Sequence, residues 1–372
     1  MNKPLTGVLV VSLEQAVAAP LASARLAEAG ARVIKIERHS GDFARGYDKA
    51  ANGVSSYYAW LNQGKESVAL DLKDPDDLAI MRRMVGRADV FLQNLANGAA
   101  ARLGLGAREL MADRPDLICC DISGFGPTGP YVDRKAYDLL IQAESGLVSV
   151  SGGPGELGRV GASVADIGTG LNAYGAITTA LVRAARTGEG AHISVSLFDT
   201  LAEWMTVPLL HHDYRGAAPE RVGLAHPSIA PYGAFETLEQ HLVLISIQSD
   251  QEWADLCNKV LEQPELAADE RFGTNNARVA NRAETDAVVA RAIADMSMPT
   301  VRRKLEYARI AYGQINDMAG LSNHRHLRRR SVTHELGQAR LPETAVEADW
   351  TGTAPAPALN EHGDQIRREF SQ

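Results

Sequence analysis

The sequence predicts an α/β fold with a mostly parallel sheet in a large domain, followed by a smaller α+β domain. Short apolar runs alternate with helix-like segments from about residue 8 to residue 197, and such alternation is typical of parallel strands that helices cover on both faces. From about residue 215 to 315 the pattern changes to one extended stretch followed by several helices. At 372 residues the chain is also too long for a single small domain.

The domain boundaries are predicted where these patterns change. The large domain covers residues 1–210 and the small domain covers 211–315. The last segment, 316–372, carries prolines among short polar stretches. We therefore expect it to return to the large domain or to wrap a partner chain.

The first elements form a βαβ unit, with a strand at 8–13, a helix at 20–28 and a strand at 32–36. A second pair has a strand at 68–72 and a helix up to residue 86, which Asp74 and Pro75 begin as N-cap and first-turn residues. The remaining strands are predicted at 90–93, 117–122, 191–197 and 242–247, and the remaining helices at 170–186, 251–261, 282–296 and 300–308.

Composition excludes several classes of function. The formal net charge is -8 and the pI is about 5.7, which leaves no basic surface for nucleic acid. The three cysteines form no CxxC pair, which fits reduced thiols in the cytoplasm. No run approaches the roughly 18 apolar residues that a membrane helix needs, and Glu14 interrupts the N-terminal apolar run that mimics a signal peptide.

Motifs for nicotinamide and metal chemistry are also missing. A dinucleotide site needs GxGxxG after the first strand, but that loop reads EQAVAAP. Glu37 closes the second strand as an acidic residue does in NAD sites, yet the arginine after it suits a phosphate or an adenine face. HExxH, GxSxG and P-loop motifs do not occur, and the paired histidines have no partners at ligand spacing. We expect no metal and no nicotinamide cofactor.

Polar residues at predicted strand ends form a series that can be compared with known families. The pieces of this series are VIKIER at 33–38, GDFARG at 41–46, Asn62 with Lys65, LDLK at 70–73, Gln93-Asn94, Arg102-Leu103-Gly104, Lys135-Ala136-Tyr137-Asp138, ADIGTG at 165–170, Asp199, HPSIAPY at 226–232, 269–281 and Asn360-Glu361-His362. In order and spacing the series resembles the family III CoA-transferases (the CaiB/BaiF family), and their relatives the α-methylacyl-CoA racemases, over essentially the whole chain.

The resemblance implies a Rossmann-like large domain that binds CoA and carries catalysis, and an interlocked homodimer. It also implies that Asp166 is a nucleophile that forms a mixed anhydride and then an enzyme thioester with CoA. A carboxylate that is ionised at pH 7 needs no activating base. The neighbouring Gly168 and Gly170 are expected to leave room for a thioester and to offer backbone N–H groups at a helix start. Without the family, an aspartate at this position is typical of a helix N-cap.

The pair Tyr137-Asp138 separates the two branches of the family. The racemases have His-Asp at the matching position, where the histidine acts as a base, and tyrosine is a poor base at neutral pH. The transferase reaction is therefore favoured. Asp138 is expected either to orient the substrate and its neighbours or to cap the helix that runs to Ser145. Gln15, in the first loop, is a further catalytic candidate beside Asp166, Tyr137 and Asp138.

The resemblance also assigns residues to coenzyme A. Arg38 would face the adenine, and Arg102 and Lys135 would neutralise phosphates. The nucleotide and pantetheine would be lined by Leu70, Lys73, Asn94 and Leu95. Arg45 and Arg159 are either surface cations or partners for the free carboxylate of a dicarboxylic acid.

The partners implied are an acyl-CoA and a small carboxylic acid. Val17 adds apolar surface and residues 210–250 contain no run of glycines for a lid, which disfavours formate and oxalate and favours a C4 or C5 dicarboxylate such as succinate, itaconate or mesaconate. The segment 226–232 is either a cover over the acyl group or a structural turn. An isomerase resembling α-methylacyl-CoA racemase is the alternative function, and a non-catalytic CoA-binding protein is a further one.

Overall fold

The structure is a computed structural model that describes residues 3–371. The chain divides into two compact units. Unit 1 comprises Met1–Leu147, Val160–Thr206 and Leu327–Gln372, and unit 2 comprises Val148–Arg159 and Val207–His326.

The strands build three sheets. In chain order they are β1 (Leu9–Leu13), β2 (Arg32–Glu37), β3 (Lys65–Ala69), β4 (Val90–Gln93), β5 (Ile118–Ser123), β6 (Ala191–Ser196), β7 (Tyr232–Glu236), β8 (Leu242–Ser246), β9 (Ala311–Gln314), β10 (Arg329–His334) and β11 (Gly337–Pro342). The first six form one parallel sheet in the order β3-β2-β1-β4-β5-β6. This sheet confirms the predicted α/β class.

The helices are α1 (Ala18–Glu28), α2 (Ser56–Leu61), α3 (Pro75–Arg87), α4 (Ala99–Arg102), α5 (Ala107–Asp113), α6 (Asp138–Glu144), α7 (Leu147–Val150), α8 (Val164–Thr187), α9 (Leu197–Trp204), α10 (Thr206–Arg215), α11 (Asp250–Leu256), α12 (Asn275–Ala280), α13 (Arg282–Ala294), α14 (Met298–Ala308), α15 (Met318–Ser322) and α16 (Gly363–Glu369). Short turns are 3-10 helical at Phe43–Gly46 and Pro264–Ala267, and π-helical at Cys257–Leu261. None of the helices among residues 3–371 is long and apolar enough to cross a membrane.

The parallel sheet of unit 1 separates two hydrophobic cores. Val10 and Leu92 belong to one core, with α1 and α8, whereas their strand neighbours Val11 and Phe91 belong to the other, with α3. Successive side chains on a strand point to opposite faces. Apolar side chains therefore fill both faces, which explains why these strands are continuous apolar runs in the sequence.

Two elements begin well before the positions that the sequence predicts. Strand β3 covers Lys65–Ala69 rather than 68–72, since Lys65 is buried in the sheet despite its charge. Helix α8 begins at Val164 rather than 170. The earlier start places Asp166 inside the first turn of α8.

Unit 2 has its own sheet and core. Strands β7, β8 and β9 form an antiparallel sheet, and Trp253, Phe272 and the buried side of α14 pack in the same core. This mixture of antiparallel strands and helices is the predicted α+β character.

The C-terminal residues of unit 1 cover an edge of the parallel sheet. The Ala69 N–H donates to Asn360 Oδ1 (2.9 Å), and the His362 N–H donates to the Ser67 carbonyl (3.0 Å). Because β3 is the outermost strand, its free backbone groups would otherwise be open to another chain. The hairpin of β10 and β11 precedes this segment.

Candidate active site

Two clefts open at the carboxyl ends of the central strands of unit 1. The arginine cleft, about 640 Å³, contains Arg38, and the aspartate cleft, about 420 Å³, contains Asp166. Gln15 and Leu95 line both. They follow β1 and β4, where the strand order of the sheet reverses, and open α/β sheets bind ligands at such a switch point.

The loop that separates the clefts is held by a side chain from the neighbouring strand. Asn94 Oδ1 accepts a hydrogen bond from the Gln15 N–H (2.9 Å), and Asn94 Nδ2 donates to the Gln15 carbonyl (2.8 Å). The next residue, Ala16, has a φ of 64°, which costs energy for a residue with a side chain, and its N–H donates to Asp42 Oδ1 (3.2 Å). The loop conformation is thus imposed from both sides.

Asp42 belongs to an ionic cluster buried beneath this loop, formed by Glu14, Lys35, Glu37, Asp42, Arg45 and Lys65. Lys35 Nζ lies 2.9 Å from Asp42 Oδ2 and 3.4 Å from Glu14 Oε1. Lys65 Nζ lies 2.6 Å from the same oxygen of Glu14. The side chains of Glu14, Lys35, Asp42 and Lys65 are fully buried, and the six residues carry three charges of each sign.

The cations of this cluster keep its carboxylates ionised despite their burial. Burial acts to raise the pKa of Glu14, but the charges of Lys65 and Lys35 outweigh it and lower that pKa to about 2. Burial acts likewise on Glu37, and its hydrogen bonds with Arg45 together with the charge of Lys35 lower its pKa to about 2. Both carboxylates therefore stay ionised at neutral pH.

Arg45 is a full member of this cluster. Its guanidinium makes two 2.8 Å hydrogen bonds to the Glu37 carboxylate and lies 3.7 Å from the centre of the Tyr58 ring. The hypothesis that Arg45 binds the free carboxylate of a substrate has no support, because Glu37 already neutralises it.

Asp166 lies in the wall of the aspartate cleft, and its carboxylate accepts no hydrogen bond from any residue in the described range 3–371. Burial and, secondly, the charge of Asp138 raise its pKa to about 7. This raised pKa differs from the ionised carboxylate that the sequence led us to expect, because a fraction of Asp166 then carries a proton near neutral pH.

Asp138 caps α8 from outside that helix. Its Oδ1 accepts hydrogen bonds from the N–H groups of Ala165 (2.8 Å) and Asp166 (3.4 Å), and its Oδ2 accepts one from Gln142 Nε2 (2.7 Å). Asp138 is the first residue of α6, whose N-cap is Tyr137. Asp138 was expected as a possible cap of α6, the helix that runs to Ser145, but it caps α8 instead. The N–H groups expected from Gly168 and Gly170 are not at the helix start, because α8 begins at Val164. The N–H groups that are there, of Ala165 and Asp166, are bonded to Asp138.

The glycines after Asp166 serve helix packing rather than room for a thioester. A Cβ on Gly168 would lie 2.7 Å from a ring atom of Trp204 on α9, and one on Gly170 would lie 2.6 Å from the Ala18 carbonyl oxygen on α1. Both distances are shorter than any normal contact. Helix α8 can therefore approach its two neighbours only where glycines stand.

Most of the residues assigned from the sequence come together at these clefts. Arg38, Leu70, Lys73 and Leu95 line the arginine cleft, and the aspartate cleft is lined by Gln15, Asn94, Leu95, Lys135, Tyr137, Asp138 and Asp166. Arg102, at the end of α4, is exposed and lines neither cleft.

Sequence reasoning missed an aromatic wall of the aspartate cleft. Phe43 and Tyr47 both line it, with ring centres 5.7 Å apart. Burial, followed by the charges of Asp42 and Asp166, raises the pKa of Tyr47 to about 12, so Tyr47 remains a hydrogen-bond donor at neutral pH. The sequence signal for this wall is the GDFARGY stretch at 41–47, which places two aromatic residues just after the end of β2.

Two other assignments fall in unit 2. Arg159 is exposed there. In the segment 226–232, fully buried Arg278 donates to the Ala230 carbonyl (2.7 Å), and Arg282 donates to the carbonyls of His226 (2.7 Å) and Ile229 (2.9 Å). This anchoring favours a structural turn. Across residues 3–371 no cluster of three or more His, Cys, Asp or Glu side chains could hold a metal ion.

Comparison with known proteins finds a family model and several relatives that match nearly the whole chain. The model of CoA-transferase family III matches residues 5–363. A succinate–glutarate CoA-transferase of Agrobacterium fabrum is 34% identical over 384 residues, covering 99% of this chain and 96% of the relative. An acetyl-CoA:oxalate CoA-transferase of Acetobacter aceti is 35% identical with the same coverage of both chains. A succinyl-CoA:mesaconate CoA-transferase of Haloarcula hispanica is 30% identical, covering 97% and 94%.

Solved structures show the same fold. A CaiB/BaiF family protein from Brucella suis superposes with a TM-score of 0.85 at 33% identity, and all of both chains is covered. A protein from Mycobacterium tuberculosis gives a TM-score of 0.88 at 26% identity, with 98% and 99% coverage.

Proposed function

The chain belongs to CoA-transferase family III, and we propose that it moves CoA from an acyl-CoA donor to a small dicarboxylic acid through a covalent intermediate on Asp166. The support from relatives is that similar full-length transferases act on succinate, glutarate, oxalate or mesaconate. The support from the site is the free carboxylate of Asp166 in the wall of a cleft.

The reaction requires four balanced steps. The ionised Asp166 carboxylate attacks the donor thioester carbonyl, the C–S bond breaks, and a mixed anhydride and CoA thiolate form. The thiolate attacks the aspartyl carbonyl of this anhydride, which releases the donor acid and leaves an aspartyl–CoA thioester. In the third step the acceptor carboxylate attacks the carbonyl of the aspartyl–CoA thioester. The C–S bond breaks, and a second mixed anhydride and free CoA thiolate form. The returning thiolate finally takes the acceptor acyl group and restores the Asp166 carboxylate.

The two clefts suit the two ends of the substrate. In this proposal the nucleotide lies in the arginine cleft, where Arg38 and Lys73 supply positive charge and Leu70 supplies an apolar contact. Gln15 and Leu95 line both clefts, so the pantetheine would pass them to reach Asp166. The side-chain amide of Gln15 would then donate a hydrogen bond to the developing oxyanion. Lys135 and the exposed Arg102 are proposed phosphate contacts.

The shape and charge of the aspartate cleft support a small dicarboxylic acid as acceptor. Its volume of about 420 Å³ also has to hold the acyl end of CoA. Lys135 lines it as a cation and, besides its proposed phosphate contact, would favour a second carboxylate, whereas Arg134 already pairs with Glu144 (2.6 Å). Succinate, itaconate and mesaconate are proposed first. The sequence argument against oxalate is weakened by the 35% identical oxalate transferase, so oxalate belongs in the assay.

A homodimer is proposed as the assembly. Among the large apolar side chains of unit 1 that are about half exposed, Leu171 and Val182 lie on α8 and Trp204 lies on α9. Such a set on neighbouring helices is a candidate interface. Light scattering coupled to size-exclusion chromatography tests it, since a mass of one chain rather than two would contradict the proposal. A cytoplasmic location remains part of the proposal, and its support is that Cys119, Cys120 and Cys257 are all free thiols.

The function is tested by mass spectrometry of CoA products. Purified protein is mixed with succinyl-CoA or acetyl-CoA and with succinate, glutarate, itaconate, mesaconate, oxalate, formate or a long-chain fatty acid. We expect new thioesters from the wild type and from Asp213→Asn, which alters an exposed aspartate outside both clefts, but none from Asp166→Ala. Turnover confined to formate or to long-chain acids would contradict the substrate class. Deuterium uptake at the α-carbon without any exchange would indicate a racemase instead.

A further inference from the structure

Gln142 is a fully buried polar residue of α6 to which neither the sequence nor the reaction assigns a role. Its side-chain nitrogen donates to Asp138 Oδ2 (2.7 Å) and to the Val160 carbonyl (3.2 Å). Its side-chain oxygen accepts a hydrogen bond from the Val160 N–H (3.0 Å). One amide therefore bonds to a carboxylate and to both polar groups of a distant backbone residue.

These contacts control the segment that delivers Asp166. Gln142 fixes Val160 at one end of segment 160–165, and Asp138 fixes Ala165 at the other end by accepting its N–H (2.8 Å). Because Gln142 also holds Asp138, a single side chain determines both ends. The first turn of α8, including Asp166, follows directly.

We propose that Gln142 is a positioning residue for the reaction at Asp166, acting by clamping both ends of segment 160–165 and by holding the Asp138 carboxylate against the first turn of α8. The inference rests on the proposed function, because it needs a reaction at Asp166 to report on. A buried amide used only for stability would not influence the ionisation of a carboxylate two contacts away.

Charge explains why the effect is measurable. Asp138 is the charged neighbour that helps to raise the pKa of Asp166 to about 7. The other titratable groups around the cleft are Tyr47, Asp133, Arg134, Lys135 and Tyr137. The Gln142 amide keeps the Asp138 carboxylate in one place by donating a hydrogen bond to it, so a change at Gln142 alters the field at Asp166.

Two variants test the clamp by predicting opposite shifts. Gln142→Leu removes the donor, so Asp138 moves away and the pH midpoint of the transfer rate falls below about 7. Gln142→Glu puts a third carboxylate beside Asp138, so the midpoint rises. Both should lower kcat about tenfold or more and leave KM for the acyl-CoA within about twofold, since the arginine cleft is untouched.

The control is Gln63→Met, which removes another buried glutamine of unit 1 that lines neither cleft and donates to the Trp60 carbonyl (2.9 Å). It should lower thermal stability and keep the wild-type pH midpoint. Wild-type midpoints and kcat in both folded Gln142 variants, checked by circular dichroism, would overturn the inference. Absence of transfer by the wild type would instead overturn the proposed function, so the two failures are distinguishable.

Discussion

The side chain of Asn94 forms two hydrogen bonds with the backbone of Gln15, at 2.9 and 2.8 Å, across the point where the strand order of the sheet reverses. This relationship joins the ends of β1 and β4 and shapes the passage between the two clefts. It also gives Asn94 a structural task, because both polar atoms of its amide are used on the protein itself.

Replacing Asn94 by alanine should therefore damage catalysis more than CoA binding. Without the amide, the loop at Gln15 and Ala16 can relax from its left-handed conformation, and a displacement of about 1 Å near a reacting centre can cost about a hundredfold in rate. We expect kcat/KM to fall by about that factor while the Kd of CoA changes less than about threefold. Steady-state kinetics and calorimetry measure the two quantities.

The control for this variant is Asn258→Ala, which removes an amide that donates to the Ala254 carbonyl in unit 2 (2.8 Å). It should leave kcat/KM unchanged. Equal losses in the two variants, or full activity in Asn94→Ala, would show that the loop does not depend on Asn94.

Replacing Asp138 by asparagine should move the pH profile of the reaction to lower pH. Asp166 reacts as the carboxylate, so the rate falls as pH drops through its pKa, about 7 in the wild type. Asparagine keeps an oxygen for the Ala165 N–H but removes the charge. The pKa of Asp166 should then fall, and stay above its usual value of 3.8 because burial is the larger cause.

The measurement is kcat/KM from about pH 5.5 to about pH 8.5. At the acidic end the Asp138→Asn variant should retain a larger fraction of its maximal rate than the wild type does. A midpoint identical to that of the wild type would mean that Asp138 has no electrostatic effect on the reacting carboxylate.

The buried ionic cluster should be essential for the stability of unit 1. Lys35→Met leaves Asp42 without its buried cation and leaves Glu14 with Lys65 instead of two buried lysines. Breaking a buried ion pair from one side costs about 3–5 kcal/mol. Lys259→Met is the matched control, because Lys259 pairs with Asp255 at the surface of unit 2. That change should cost less than about 0.5 kcal/mol.

Urea unfolding followed by circular dichroism gives both free energies of unfolding. The prediction fails if the two lysine variants lose the same stability. Equal loss would mean that the buried charges are compensated by something other than Lys35.

The cations of the arginine cleft should determine affinity for CoA. Removing one charge-assisted phosphate contact costs about 1.5 kcal/mol, which is about a tenfold rise in Kd. We expect this rise for Arg38→Ala and for Lys73→Ala, with a weaker salt dependence of binding. Lys259→Ala should bind CoA as the wild type does, and calorimetry with CoA would contradict the assignment if Arg38→Ala did too.

The sequence predicts an element well when the residues that determine it are close together in the chain, and poorly when they are far apart. Strands β1, β2, β4 and β5 were predicted within about two residues, because burial on both faces makes each a short apolar run. Strand β3 was displaced because it begins with Lys65, whose burial depends on Glu14 far away in the sequence. The start of α8 was missed because the residue that caps it, Asp138, is 27 residues away in the sequence and lies beside it only in the folded chain.

The site follows the same rule. Residues at strand ends were expected to converge, and most of them line the two clefts. Gln142 was not foreseen because Val160, which it holds, lies 18 residues away. The ionic role of Asp42 was not foreseen because its partner Lys35 is a charged residue buried in a strand, which the local sequence does not show. The raised pKa of Asp166 depends on burial, which no motif displays.

The most direct test of the account is intact-protein mass spectrometry of the enzyme quenched in acid during turnover of succinyl-CoA. We predict a species heavier by one CoA minus one water, mapped by digestion to the peptide that contains Asp166 and absent from Asp166→Ala. CoA attached at another residue, or transfer that survives in Asp166→Ala, would contradict the assignment of Asp166 as the nucleophile.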